Sequence, residues 1–182
     1  FGESEGRYYI VMGYMPGGSL KDLIKKEGAL SKERAIQIMS QISAGLSYTQ
    51  KLIHRDLKPG NILFDDKQNA RVCDMGFAKH LRSDSTASMS STGGIVGTPA
   101  YMAPEIWQGS TASTAVDVYS CACILVEMLT GKPLFDGDST PMVMLKHFQP
   151  LNLPNNLPEK WKPVIEKALE KEPEKRYQTV DK

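Results

Sequence analysis

Apolar residues change their spacing along the chain, and each spacing predicts a different element. Residues 8–12 form a short run rich in β-forming side chains that stops at Gly13, which predicts a buried strand followed by a turn. After Ser31, apolar residues recur at intervals of three and four, which predicts an amphipathic helix that ends at about Gln50. Residues 114–130 are apolar on all sides, so they predict a helix that is buried all round.

Shorter segments predict further helices and one loop. Ser19 is placed to cap a short helix over residues 20–26, and residues 141–147 and 161–170 also have helical patterns. Residues 83–92 are rich in hydroxyl side chains and carry no large branched apolar one, which predicts a mobile loop. The chain is therefore expected to be mainly helical.

A β-hairpin is predicted in the middle of the chain. The apolar runs 62–64 and 70–73 lie on either side of a polar tip at residues 65–69. We expect the tip to be centred between Lys67 and Gln68, which fixes the pairing of the two strands.

This pairing predicts a metal site at the open end of the hairpin. Ile62 would pair with Cys73, and Asn61 would lie opposite Asp74. An amide oxygen and a carboxylate oxygen form a hard oxygen pair suited to Mg²⁺, which takes few protein ligands and completes its shell with phosphate oxygens.

Polar motifs with candidate chemistry lie around this hairpin. Residues 54–61 read His-Arg-Asp-Leu-Lys-Pro-Gly-Asn, a doubly basic segment between a long helix and an apolar strand. Residues 74–76 read Asp-Met-Gly, and residues 97–105 read Gly-Thr-Pro-Ala-Tyr-Met-Ala-Pro-Glu.

In order and spacing these motifs resemble those of protein kinases. Residues 54–61 resemble the catalytic loop, residues 74–76 resemble the metal-binding D-F-G motif with Met in place of Phe, and residues 103–105 are the A-P-E motif. Residues 117–120 resemble the start of the buried central helix of that family. The resemblance covers residues 8–180, which is nearly the whole chain.

Two details resemble the serine/threonine branch of the family. One is Lys58, two residues after Asp56, and the other is the Gly-Thr pair before Pro99. Residues 58–61 and 174–178 are similar in sequence to the corresponding segments of bacterial eukaryotic-like kinases.

The resemblance implies an α+β, protein-kinase-like fold: a mainly α-helical C-terminal lobe with a short catalytic β-hairpin, and an N-terminal lobe that is largely missing. Residues 1–182 would be a partial kinase domain, with the last small-lobe strand and hinge in residues 1–18 and the large lobe in residues 19–182. The activation segment would span residues 74–105. The chain begins without Met, which we interpret as part of a longer chain.

The resemblance also implies the catalytic roles. Asp56 would accept or orient the proton of an attacking Ser or Thr hydroxyl, and Lys58 would neutralise charge on the γ-phosphoryl group. Asn61 and Asp74 would hold Mg²⁺, with Mn²⁺ as an alternative. Thr98 would tie Asp56 to Lys58 by hydrogen bonds.

ATP is the implied nucleotide. Met12 matches the gatekeeper, and residues 13–15 match the hinge whose backbone binds adenine. Gly13 replaces the usual glutamate, which we expect to matter little because the adenine contacts are made by the main chain. The nucleotide-binding set comprises Met12, Gly13, Tyr14, Met15, Ser19, Lys58, Asn61, Leu63 and Asp74, with Ser19 at a common ribose position.

Regulation and structural support follow from the same resemblance. Arg55 and Lys79 are placed to grip a phosphate on the activation loop, and Thr92, with Ser90 second, is the candidate phosphorylation site. The residues given structural roles are His54, Glu105, Asp117 and Arg176. Among these, Arg176 is expected to pair with Glu105 in the interior.

Composition excludes several other classes. In 182 residues, 22 basic and 21 acidic side chains give a net charge of +1, which argues against nucleic-acid or anionic-lipid partners. The three cysteines have no metal-ligand spacing, which favours reduced thiols and a cytoplasmic location. No apolar run approaches the length of about 20 residues that a membrane span needs.

Parts of the family pattern are absent. The chain contains no G-x-G-x-x-G followed by Val, no V-A-I-K strand, and no candidate for the glutamate that pairs with that lysine. The partners expected are therefore ATP, a Ser/Thr-containing protein substrate and the chain's own missing small lobe. The fragment alone is expected to be inactive, because groups that position ATP are absent.

Two alternatives remain open at this stage. A catalytically inert kinase fragment could serve as a binding or scaffold module, although Asp56, Lys58, Asn61 and Asp74 are all retained. A small-molecule kinase of related fold, acting on aminoglycosides or choline, would share the H-x-D motif. It would lack the Lys58 spacing and the peptide-docking segment at 97–105.

Overall fold

Helices make up most of the regular structure in a computed structural model, which describes residues 2–48, 52–75 and 98–181. The strands are β1 (Gly2–Ser4), β2 (Arg7–Tyr9), β3 (Ile62–Phe64) and β4 (Ala70–Val72). The helices are α1 (Leu20–Glu27), α2 (Lys32–Tyr48), α3 (Pro104–Trp107), α4 (Thr114–Thr130), α5 (Thr140–Phe148) and α6 (Lys162–Ala168). Short 3₁₀ turns occur at Pro59–Asn61, Pro99–Tyr101, Glu159–Trp161 and Pro173–Lys175.

Helix α4 lies at the centre of the core, as its sequence predicted. Apolar residues on every side of it are buried, among them Tyr119, Ile124 and Met128. Gly131 ends the helix in the left-handed conformation at φ 75° and donates its N–H to the Glu127 carbonyl at 2.7 Å. The predicted span and the predicted stop signal are both confirmed.

Helices α1 and α2 also begin where the sequence places their caps. Ser19 and Asp22 form a reciprocal capping box at the start of α1. The Ser31 hydroxyl accepts the backbone N–H of Arg34 at 3.2 Å at the start of α2. The described part of α2 extends to Tyr48, and the predicted end at Gln50 lies outside the described residues.

The other predicted helices are present with small shifts. Helix α5 spans Thr140–Phe148, one residue longer at each end than predicted. Helix α6 covers Lys162–Ala168, and the preceding residues form a 3₁₀ turn instead of its first turn. The predicted loop at 83–92 lies outside the described residues. No helix in the described ranges is long and apolar enough to cross a membrane.

The hairpin is present, but its predicted pairing is wrong by one residue. Ile62 pairs with Val72, not with Cys73. The tip is centred on Lys67, because Asp65 donates its N–H to the Asn69 carbonyl at 3.0 Å. Gln68, at φ 62°, takes the left-handed position that closes a three-residue turn. The shift moves every cross-strand partner by one position.

The predicted buried strand at residues 8–12 is also wrong. β2 ends at Tyr9, and its residues are exposed, as are those that follow, with Val11 78% exposed. β2 pairs with β1 in a sheet of only two strands, and such a sheet buries a face only when another layer packs on it.

Candidate active site

The segment between α2 and β3 brings three predicted side chains together. Lys58 Nζ lies 2.7 Å from Asp56 Oδ2, and their side chains are 28% and 34% exposed. Asn61 Nδ2 donates to the Asp56 carbonyl at 2.8 Å and lies 3.5 Å from Asp56 Oδ2. A carboxylate, an ammonium and an amide therefore share one partly open site.

Helix α4 holds the backbone of this loop. The Asp117 carboxylate accepts the N–H of His54 at 2.9 Å through Oδ2 and that of Arg55 at 3.0 Å through Oδ1. Burial raises the pKa of the Asp117 carboxyl, and the two N–H donors oppose that rise. The loop is thus tied to the most buried helix of the fold directly before Asp56.

His54 ties the same loop to the hairpin. It is buried, and its Nε2 lies 2.8 Å from the Cys73 carbonyl oxygen. Since a carbonyl only accepts, Nε2 is the donor, and Nδ1 faces the Asp56 N–H as acceptor at 3.4 Å. This is the packed, structural position expected from the sequence.

Two residues at the site have left-handed backbone conformations without being glycine. Arg55 has φ 68° and Asp74 has φ 60°. Such conformations cost about 1–3 kcal/mol each and persist only where the surroundings enforce them. At Arg55 the contact that enforces this conformation is made by the Asp117 carboxylate. The strained backbone residue therefore lies directly beside Asp56.

Asn61 and Asp74 supply hard oxygen donors next to the hairpin, although not as the predicted cross-strand pair. The Cys73 N–H donates to the Asn61 carbonyl at 2.9 Å, so Asn61 faces Cys73 and Asp74 follows one residue later. Within the described ranges, both hydrogen bonds of the Asn61 side chain are made by Nδ2. Amide and carboxylate oxygens are hard donors, so the chemistry of Asn61 and Asp74 fits a divalent cation.

The neighbouring thiol does not compete as a charged ligand. Burial, followed by the Asp74 charge, raises the pKa of Cys73 to about 11. Cys73 is therefore a neutral thiol near pH 7.

The predicted hinge is attached to β3. Gly17 donates its N–H to the Phe64 carbonyl at 3.0 Å, and the Phe64 N–H donates to the Gly18 carbonyl at 2.9 Å. Ser19 also forms a β-bridge with Leu63, which brings the end of the hinge beside the nucleotide-binding candidates in β3. The side chains of Met12, the predicted gatekeeper, and of Tyr14 in the hinge are exposed, whereas that of Met15 is half-buried.

Ser19, the residue at the predicted ribose position, caps helix α1. Its hydroxyl donates to Asp22 Oδ2 at 2.5 Å and accepts the Asp22 N–H at 3.2 Å. The helix start needs an acceptor for its free N–H groups, and the hydroxyl fills that need.

Thr98 does not make its predicted hydrogen bonds. In the part of the chain that the structure describes, its side chain bonds to neither Asp56 nor Lys58, which contact each other directly. Thr98 instead precedes the 3₁₀ turn, where its carbonyl accepts the Tyr101 N–H at 3.2 Å.

The predicted pair of Glu105 and Arg176 forms in the interior. Arg176 Nη1 and Nη2 lie 2.7 and 2.8 Å from the two Glu105 carboxylate oxygens. The guanidinium also donates to the carbonyls of Ala115, Glu170 and Lys171. With every donor position engaged, the buried charge is compensated.

Residues that the sequence did not single out fix the turn Pro99–Tyr101. His147 Nε2 lies 2.9 Å from the Pro99 carbonyl, and the Ser120 hydroxyl donates to the Tyr101 carbonyl at 2.8 Å. The Tyr101 hydroxyl donates to Glu127 Oε2 at 2.6 Å. The available signal was the presence of Ser120 and Glu127 in an otherwise apolar helix, since buried polar groups need partners.

The proposed regulatory set is only partly described. Lys79, Ser90 and Thr92 lie outside the described residues. Arg55 is half-buried beside Asp56, and its guanidinium forms no ion pair with an acid of the described ranges.

The comparison with known families identifies the class of protein. The protein kinase domain family matches residues 1–181, so the chain belongs to that family. The mostly helical structure with two small antiparallel sheets agrees with the α+β kinase-like fold expected from the motifs. Protein kinases as a family use ATP and a divalent metal and transfer phosphate to a protein.

Bacterial proteins are among the relatives that the chain matches. The chain is 39% identical over 98% of its length to a probable serine/threonine-protein kinase PknB of Bifidobacterium longum, covering 27% of that protein. It is 40% identical over 94% of its length to a probable serine/threonine-protein kinase of Clostridium perfringens, covering 26% of it. It is 37% identical over 94% to serine/threonine-protein kinase PknB of Mycobacterium tuberculosis, covering 28%. The chain thus spans about a quarter of the length of these curated relatives, which are named as serine/threonine-protein kinases of bacteria.

Proposed function

We propose that the protein carrying this chain is a serine/threonine protein kinase that transfers the γ-phosphoryl group of Mg·ATP to hydroxyl groups of proteins. The observation that carries the proposal is the shared site of Asp56, Lys58 and Asn61, with Lys58 Nζ 2.7 Å from Asp56 Oδ2. The loop that bears them is anchored to α4 through Asp117.

Each side chain has a role that its position supports. Asp56 orients the acceptor hydroxyl and accepts its proton, while Lys58 neutralises charge on the transferring group. Asn61 and Asp74 would hold Mg²⁺, or Mn²⁺ in its place, and the bound ion neutralises phosphate charge. Most of the catalysis then comes from positioning and electrostatic stabilisation.

Residues 13–15 are proposed to bind adenine through their backbone, with Met12 as the gatekeeper. The support is the attachment of the following residues, Gly17 and Gly18, to Phe64 of β3. The same strand begins directly after Asn61, so the hinge and the proposed metal ligands are joined by a few residues of rigid structure. Leu63 is proposed to contact the nucleotide from β3.

The test compares Asp56→Asn with wild type in the complete kinase. We expect autophosphorylation to fall at least about 10²-fold, the low end for a positioned base, with the fold unchanged. Asp66→Asn is the matched control, because Asp66 is an exposed carboxylate at the hairpin tip. Equal autophosphorylation by wild type and Asp56→Asn would contradict the proposal.

Activation by phosphorylation is a second part of the proposal. Thr92, with Ser90 second, would receive the phosphate, and Arg55 with Lys79 would bind it. The half-buried position of Arg55 next to Asp56 supports a link between that phosphate and the catalytic loop. Full activity of the complete kinase with Thr92→Ala and Ser90→Ala combined would contradict it.

An inert scaffold is not favoured, since each of the relatives reported above carries the name of a serine/threonine kinase.

We propose a cytoplasmic location for this domain, supported by the free thiols of Cys73, Cys121 and Cys123.

A further inference from the structure

A buried histidine joins the turn before α3 to the central helix. His147 lies on α5 and is 0% exposed. Its Nε2 lies 2.9 Å from the Pro99 carbonyl oxygen, and its Nδ1 lies 2.8 Å from the Tyr119 hydroxyl on α4. One imidazole therefore connects α5, the turn Pro99–Tyr101 and α4.

The partners determine which nitrogen carries the proton. The Pro99 carbonyl can only accept, so Nε2 must donate. Nδ1 then presents its lone pair, and the Tyr119 hydroxyl donates to it. A second proton, on Nδ1, would remove the acceptor that the Tyr119 hydroxyl uses. With Tyr119 as the donor, the connection uses the neutral imidazole in its Nε2–H tautomer.

The surroundings favour that neutral form. From the segment after α6, Lys171 Nζ donates to the His147 carbonyl at 2.7 Å. From the next turn, the Arg176 guanidinium lies over the Tyr119 ring at 4.9 Å, and it is itself paired with Glu105. Aromatic rings also lie nearby: the ring centroids of Trp107 and Phe135 are 6.3 and 4.1 Å from that of the imidazole.

These groups place positive charge and apolar rings around the imidazole. Burial lowers the pKa of His147 to about 4, and the Lys171 charge acts in the same direction. The only acid in this set, Glu105, is engaged by Arg176. The imidazole is consequently neutral throughout the physiological range.

Helix α4 carries both the support of the catalytic loop and the support of this turn. Asp117 accepts the N–H groups of His54 and Arg55. Two and three residues later, Tyr119 holds His147, and Ser120 donates to the Tyr101 carbonyl. The distance between the turn and Asp56 is therefore set by one rigid helix, and His147 supplies the contact at the Pro99 end.

We propose that His147 is a positioning residue that fixes the turn Pro99–Tyr101 for binding of the acceptor peptide. This inference rests on the proposed function and on the resemblance noted in the sequence analysis, which makes the segment at 97–105 the one that docks the protein substrate. It predicts that losing the contact to Pro99 weakens peptide binding while leaving ATP binding nearly as it was, because the hinge is attached elsewhere, at β3.

Two substitutions separate this role from simple packing. The amide of His147→Gln can reach the position of Nε2 and still donate to the Pro99 carbonyl. The shorter His147→Asn can retain only the contact near Nδ1, which leaves the carbonyl without its donor. Tyr119→Phe removes the hydroxyl that orients the imidazole but keeps the ring stacked on Phe135, at a centroid distance of 6.2 Å.

The experiment uses the complete kinase and the best acceptor from a library of Ser- and Thr-containing peptides, selected with wild type. We expect His147→Asn to raise the KM for the peptide about tenfold, the size expected when a buried carbonyl loses its donor. The KM for ATP should stay within about twofold, and His147→Gln should recover most of the peptide KM. Tyr119→Phe should give an intermediate peptide KM.

Val143→Ala is the matched control for lost stability. Val143 is buried on the same helix and contributes no polar contact to the turn. It should lower the melting temperature without raising the peptide KM. If all four variants raise both KM values together, or if His147→Asn and His147→Gln behave alike, the positioning role is overturned. Absence of phosphoryl transfer by wild type would instead overturn the proposed function, and this inference with it.

Discussion

The Asp117 carboxylate accepts the backbone N–H of His54 at 2.9 Å. Through this contact the most buried helix of the fold fixes the start of the catalytic loop, two residues before Asp56. The neighbouring N–H of Arg55 binds the other carboxylate oxygen at 3.0 Å, which holds Arg55 in its left-handed conformation. The position of Asp56 thus depends on a side chain that is itself remote from the chemistry.

Asp117→Asn should therefore reduce catalysis without touching any proposed ligand of ATP or metal. An amide has one acceptor oxygen, so one of the two N–H groups would face an NH₂ group. We expect the phosphoryl-transfer rate to fall between about tenfold and a hundredfold, the effect of a small misplacement of a reacting group. Single-turnover transfer by the complete kinase measures it, with the exposed Asp136→Asn as control. An unchanged rate would show that the loop holds its geometry without Asp117.

Arg176→Ala should destabilise the domain far more than it alters chemistry. The side chain of Arg176 is 0% exposed, and its removal leaves the Glu105 carboxylate buried without its cation. Breaking one side of such a pair costs about 3–5 kcal/mol of unfolding free energy. The adjacent Lys175→Ala removes an exposed i,i+3 pair with Glu172 and should change nothing measurable. Equal denaturation midpoints for both variants would contradict the interior pairing.

Lys58→Ala should reduce catalysis far more than it destabilises the domain. Its pair with Asp56 is about one third exposed, so solvent screens it, and we expect the free energy of unfolding to change by less than about 1 kcal/mol. The rate of phosphoryl transfer should fall at least about 10²-fold, because the charge on the transferring phosphoryl group loses the ammonium that neutralises it. Lys67→Ala, at the exposed hairpin tip, is the control. Chemical denaturation and transfer assays on the same samples compare the two effects.

The elements that could be predicted from sequence were those whose signal is local. Helix α4 is apolar on every side and has a glycine directly after it, and its bounds agree with the prediction. The catalytic-loop motif also predicted that Asp56, Lys58 and Asn61 lie together, since they are within six residues of one another.

Features that depend on distant or unusual contacts could not be predicted. The hairpin register depends on Gln68 adopting a left-handed conformation that its residue type does not signal. The exposure of residues 8–12 depends on which layer covers them, whereas β propensity reports only local preference. The contact between His147 and Pro99 joins residues 48 positions apart, so no periodic pattern contains it.

The neutral His147 imidazole predicts an acid sensitivity. Its pKa is lowered from 6.5 to about 4 in the folded chain, so between these values the unfolded chain binds more protons. The contribution of His147 to the free energy of unfolding is then fully present above pH 6.5. It is lost as pH falls toward 4, by on the order of 3 kcal/mol at most. Urea denaturation of wild type and His147→Gln from pH 7 to about 4.5 isolates this contribution, since all other titrating groups are shared. A difference between the two that does not vary with pH would contradict the neutral state.

Gly17→Ala should detach the hinge from β3. A Cβ at Gly17 would lie 2.6 Å from Phe64 Cβ and 2.9 Å from the Phe64 carbonyl oxygen, too close for the backbone contact to survive unchanged. Because residues 13–15 are proposed to bind adenine, we expect the KM for ATP to rise severalfold while the KM for the acceptor peptide changes less. Gly45→Ala is the matched glycine control, since its Cβ would meet Val72 at an ordinary 3.4 Å and alanine is the better residue within α2. Unfolding free energy should fall for Gly17→Ala and hold or rise for Gly45→Ala. An unaltered KM for ATP in a folded Gly17→Ala enzyme would show that nucleotide binding does not depend on this attachment.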